Sequence, residues 1–131
     1  MDITPLISSD QQVIQSYSAG RFKVSGVVHE KPIFVTPNLT IPWPFTKAAE
    51  ELTIDDFEPL VQSGVQIDVI LLGCGARSIF IRPDLRAALK EKGFAIDAMD
   101  TGAACRTYNV LMADGRLIAA ALLPVKSSAA V

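Results

Sequence analysis

The chain is poor in the side chains that bind soft metals or relay protons. Its 131 residues include one histidine and two cysteines. Cys74 and Cys105 fall in different predicted elements and match no metal spacing, and His29 adds only a single further ligand. No metal and no cofactor is therefore expected. A basic surplus is missing too: 12 Lys and Arg stand against 14 Asp and Glu, a formal net charge of −2 without any Lys/Arg cluster. Phosphate backbones demand the opposite balance, so a nucleic-acid partner is not expected. Leu117 to Leu123 is the most apolar run, far short of the roughly 20 residues that cross a bilayer. Met1 to Gln12 carries Asp2 and no basic start before an apolar run, nor an arginine-rich amphipathic pattern. Neither a secretory signal nor a mitochondrial presequence is expected. With so little cysteine, a reduced, cytoplasmic location follows as the simplest expectation.

Hydrophobic residues make up 50% and charged residues 20%, which excludes intrinsic disorder and suffices for a hydrophobic core. With no repeat, low-complexity tract or long linker, residues 1–131 read as one domain. Its core covers about 20–124, and the tail 126–131 is expected to fray. The organising stretch is Val69 to Pro124. Val69-Ile70-Leu71-Leu72 is a short apolar run of the kind buried on both faces of a sheet. Gly73-Cys74-Gly75-Ala76-Arg77 ends it in a turn, where glycine permits angles that a Cβ forbids. Pro83 opens a helix to Lys92, with Leu85, Ala88 and Leu89 on one face and Gly93 as its stop. Phe94 to Met99 is the next strand. Asp100 or Thr101 caps a second helix whose stripe is Ala104, Thr107, Tyr108 and Leu111. Asp114-Gly115 leads to a last strand, Leu117 to Leu123, of open direction.

The N-terminal third reads as β structure. Val13 to Tyr17 and Arg21 to Val24 flank a hairpin loop at Ser18-Ala19-Gly20. Gly26 marks a bend or bulge before an extended Val27 to Glu30, and Ile33 to Val35 forms a further strand. Pro37, Pro42 and Pro44 make 37–45 an ordered loop or edge segment. Lys47 to Leu52 reads as strand or turn. A short helix near Asp55 to Gln62 tolerates Pro59 in its first turn if Asp56 caps it.

Three places compete for function. Gly73, Cys74, Gly75 and Arg77 form a glycine turn after a strand, able to hold an anion through N–H groups and a guanidinium. It lacks the third glycine of a dinucleotide fingerprint and the Gly-Lys-Ser/Thr of a P-loop. A right-handed crossover brings Asp100 and Thr101 to the same corner, where α/β sheets bind ligands; Asp100 also reads as a plain helix cap. Trp43 and Phe45, in the proline-rich loop, read either as a partner contact or as a cover over the core. Cys74 and Cys105 have no histidine near in sequence, and no catalytic residue is assigned. Thr107-Tyr108-Asn109 is expected to hydrogen-bond neighbouring loops.

Leu72-Gly73-Cys74-Gly75, Pro83, Gly93, Asp100-Thr101, Ala104, Thr107-Tyr108-Asn109, Leu111 and Arg116 together resemble the small domain family of mitochondrial complex I assembly factor 3. The resemblance covers roughly Gly20 to Pro124. The residues themselves support an α/β fold with a mixed central sheet and helices packed on it. The resemblance implies about five strands in that sheet and an additional N-terminal β layer. It also implies a non-catalytic interaction module, an assembly or scaffolding factor with a protein partner. The alternative from the residues is a protein or enzyme that binds a small anion at the Gly73–Arg77 and Asp100–Thr101 corner.

Overall fold

A computed structural model of the chain describes residues 11–18 and 20–125. Residues 1–10, Ala19 and 126–131, and with them part of the expected hairpin loop and the expected fraying end, lie outside the described residues. Strands β1 (Ile14–Ser18), β2 (Arg21–Val24) and β3 (Val27–His29) form an antiparallel three-stranded sheet. A second sheet contains β4 (Ile33–Val35), β5 (Thr40–Pro42), β6 (Val69–Gly73), β7 (Ala95–Met99) and β8 (Ile118–Leu122). Its order is β5-β4-β8-β6-β7. β6 runs parallel to both β7 and β8, whereas β4 is antiparallel to β5 and β8, so the sheet is mixed. The helices are α1 (Glu58–Gln62), α2 (Pro83–Glu91) and α3 (Thr101–Ala113).

Alternation along the central strands divides the core in two. Ile70 and Leu72 point to one face with Phe34, Ile96, Ala119 and Ala121, where Leu85 and Leu89 of α2 and Leu60 of α1 cover them. Leu71 points to the other face with Val35, Ile118 and Ala120, beneath Ala104, Tyr108 and Met112 of α3. The three-stranded sheet adds Ile14, Phe22 and Val24 to this second cluster. The extra N-terminal layer thus closes over the α3 side. Small Ala119, Ala120 and Ala121 at the centre of β8 let both helical layers approach closely; each is fully buried.

Several local expectations shift. The buried stripe of α3 is Thr101, Ala104, Cys105, Tyr108 and Met112, so Thr107 and Leu111 lie at its half-buried border. Gly26 is no bend in a continuing strand: Ser25-Gly26 is a two-residue turn with φ of 45° and 89°, and it reverses the chain into β3. Residues 49–51 and 54–57 form single 3₁₀ turns, the second leading directly into α1. Asp56 does act at that entrance, but by reaching back to accept the Thr53 N–H at 2.8 Å. α2 ends as expected at Gly93, where the Phe94 N–H donates to the Leu89 carbonyl at 2.9 Å.

Candidate functional site

The carboxyl ends of β6 and β7 meet, but they are tied to one another. The Thr101 hydroxyl accepts the Gly75 N–H at 2.8 Å and donates to the Leu123 carbonyl at 2.6 Å. The Thr101 N–H donates to the Gly75 carbonyl at 2.9 Å, and the Cys74 N–H to that of Met99 at 2.9 Å. One buried side chain therefore joins the loops that leave three parallel strands. Gly75 needs its φ of +94°, for which glycine is the natural residue. Gly73 needs something else. A Cβ there would stand 3.0 Å from the Thr101 Cα and 3.1 Å from Leu122 Cδ2, so the close approach of β6, β8 and α3 requires glycine.

Asp100 is the helix cap: its carboxylate accepts the Ala103 N–H at 2.9 Å. Its neighbour Thr101 is fully buried. The N–H groups of Cys74, Gly75, Thr101 and Ala103 thus all have partners within the fold, and the corner is occupied by its own hydrogen bonds. Arg77 is exposed.

The opening at this end of the sheet lies on the other side of the glycine turn. A cleft of about 750 Å³ runs between Cys74–Ile79, residues 45–50 and Leu123–Pro124. Arg77, Lys47 and Glu50 give it charges of both signs. Lys47 Nζ lies 3.4 Å from the Asp56 carboxylate and 5.7 Å from the centre of the Phe45 ring. Neither Asp100 nor Thr101 lines the cleft. Of the predicted corner, Cys74, Gly75 and Arg77 face this opening. The opposing wall of residues 45–50 had no signature in sequence, because a contact between loops so far apart along the chain leaves none.

Burial disfavours the thiolate form of both cysteines. Burial pushes the Cys105 thiol up to about 12, with the charge of Asp100 adding and that of Arg106 opposing. Burial also raises Cys74, against the lowering effect of backbone N–H groups of Ile79 and Met99. Both cysteines are free.

Trp43 and Phe45 do not stand at the surface. They are 2% and 4% exposed, and the reading of this loop as a partner contact is corrected accordingly. Trp43 stacks between Phe34 and Phe45 at centroid distances of 4.5 and 5.2 Å, and its indole N–H donates to the Asp56 carbonyl at 2.8 Å. The prolines turn the ring inward, where its apolar area is covered and its one donor satisfied.

Tyr108 and Asn109 do bind neighbouring segments. The Tyr108 hydroxyl donates to the Gln12 carbonyl at 2.7 Å, and burial raises its pKa. The Asn109 side chain accepts the Ile14 N–H at 3.0 Å and donates to the Ile14 carbonyl at 2.7 Å. No helix among the described residues is long and apolar enough to cross a membrane.

This architecture has solved counterparts. A Mth938-like domain from Bordetella pertussis superposes with a TM-score of 0.77 at 26% identity, covering 96% of this chain and 91% of that one. An uncharacterised protein of Rhodobacter capsulatus is 32% identical over 112 residues, 86% of this chain and 84% of its own. The Danio rerio protein named NADH dehydrogenase [ubiquinone] 1 alpha subcomplex assembly factor 3 is 33% identical over 112 residues. That alignment covers 86% of this chain but 64% of the Danio rerio protein, so the chain spans less than two thirds of that relative. The model of the family described as "protein of unknown function (DUF498/DUF598)" matches residues 14–123, and the chain belongs to that family.

Proposed function

We propose that the chain is a non-catalytic interaction module that serves the assembly of a larger protein complex. The observation that carries this reading is the likeness, over most of the chain, to relatives named as assembly factors. The chemistry of the cleft supports it: its one thiol is raised by burial, and the Cys74 and Gly75 N–H groups beside it are spent on the fold. Removal of the chain from its native cell, followed by native-gel separation of multisubunit complexes, tests the reading. A sub-assembly should accumulate and disappear when the chain is restored. Normal assembly of every complex in its absence would refute the role.

A second reading rests on the cleft itself. Arg77, exposed beside the glycine turn, can meet a small anion whose body lies against Ile79 and Pro124. Such a ligand would bind through the guanidinium and not through Asp100–Thr101. Titration with inorganic phosphate or sulfate should then shift the amides of 75–79 and spare those of 101–103. Equal shifts in Arg77→Ala would remove this reading.

A further inference from the structure

Four strands end a sheet: β1 and β3 in the small one, β5 and β7 in the large one. Unpaired edges invite foreign strands, and three of these four have an outward backbone group already taken or missing. On β1, the Asn109 amide takes both the N–H and the carbonyl of Ile14, as a neighbouring strand would. On β7, the Arg86 guanidinium donates to the Ile96 carbonyl at 2.8 Å. This carbonyl faces outward, because the flanking Ala95 N–H and Met99 carbonyl bond on the β6 side. On β5, Pro42 has no outward N–H to offer.

β3 has no such closure among the described residues. Val24 and Val27 flank the two-residue turn and form the hydrogen-bonded pair, so the N–H and carbonyl of Val28 point away from β2. The side chains agree. Val27 lies on the same face as Val24, its cross-strand partner, yet is 56% exposed where Val24 is 1% exposed. Val28, on the opposite face, is 54% exposed. The apolar layer therefore stops one strand short. A groove of about 580 Å³ continues from Val28 past Lys31 to Ile33 and Pro42, extending the edge beyond its own short length. Lys23, beside Val28 on the outer face, and Lys31 are exposed and form no ion pair among the described residues. Arg21, by contrast, is paired with Glu30 at 3.2 Å.

We propose that the outer edge of β3 takes up an extended segment of a protein partner as an added strand, β-branched where it crosses Val27 and Val28 and acidic toward Lys23 and Lys31. Strand addition supplies main-chain hydrogen bonds to Val28, and alternate side chains of the guest cover both valines at once. The proposal rests on the interaction-module reading and specifies its surface.

A displayed library of short random peptides, panned on the whole chain, provides the probe. Selected peptides should alternate β-branched and acidic residues and shift the backbone amides of 27–31. Methylation of their alternate backbone nitrogens should abolish binding. Val28→Pro should weaken them about tenfold or more while leaving the melting temperature near wild type, because the lost N–H points outward. Should Val28→Pro unfold, Val28→Lys tests the same edge. Failure to select any peptide, peptides that shift other residues, or undiminished binding to both variants would overturn the proposal. So would slow hydrogen exchange of the Val28 amide in the unliganded chain, or a dimer that Val28→Pro dissociates, since another occupant would then hold the edge. These results would leave the assembly role standing, because that role is read from complex formation in the cell.

Discussion

Thr101 joins, through one oxygen, the Gly75 N–H and the Leu123 carbonyl across the ends of three parallel strands. Thr101→Val keeps the shape and leaves both backbone groups without their partner. We predict a loss of about 1–3 kcal/mol in urea unfolding; an unchanged midpoint would show that the bridge is dispensable. Trp43→Ala should cost more, about 3–5 kcal/mol, because a buried, stacked ring leaves a cavity. A near-neutral melt would contradict its place in the core. Cys105 gives a pH dependence with a definite sign. Its thiol ionises near the ordinary 9.0 when unfolded and near 12 when folded, so the unfolded chain releases its proton first. The stability linked to this group is complete below pH 9 and is lost as pH climbs toward 12. Chemical denaturation across that window should show a shallower alkaline decline for Cys105→Ala than for wild type. Parallel slopes would exclude the linkage. The sequence alone suggested both a surface and a core role for Trp43. The choice depends on Phe34 and Asp56, which reach the ring only through the tertiary fold.

The elements from β6 to α3 were legible because their signals are local. Pro83 and Gly93 bound α2, and Asp100 caps α3 through the Ala103 N–H. Asp100→Ala should therefore lower stability by about 0.5–2 kcal/mol, whereas Asp100→Asn should largely retain it. Equal losses in both would mean that charge, not the cap hydrogen bond, carries the effect. The direction of β8 was not legible. The short connection after α3 is compatible with either sense until α3 is known to cross the sheet face, after which only a parallel β8 lies beside β6. The turn at Ser25-Gly26 has no clear sequence signal for a related reason. Ser25 takes a φ of 45° that serine rarely adopts, with its hydroxyl accepting the Val13 N–H at 3.0 Å. The caps supplied by Asn109 and Arg86 were likewise invisible, since each acts on a strand distant in the chain or fixed only by tertiary packing.

At the scale of the whole molecule, helices and the N-terminal sheet cover both faces of the central sheet, and its parallel carboxyl ends are tied shut by Thr101. The glycine turn was recognisable as a feature, but its purpose was not. The sequence places Gly73–Arg77 near Asp100–Thr101 without revealing that their donors bond each other. Among the surfaces the fold leaves outward are the cleft at Arg77, the apolar edge at β3 and, separately in sequence, an exposed Phe80 on the loop before α2. These surfaces suit recognition. The most direct test of the account is affinity capture of the tagged chain from its native cell after in-cell cross-linking, with the bound proteins quantified by mass spectrometry. A defined protein partner should be recovered in near-stoichiometric amount and cross-linked to this chain. Recovery of the chain alone, with no protein enriched over an untagged control, would contradict it.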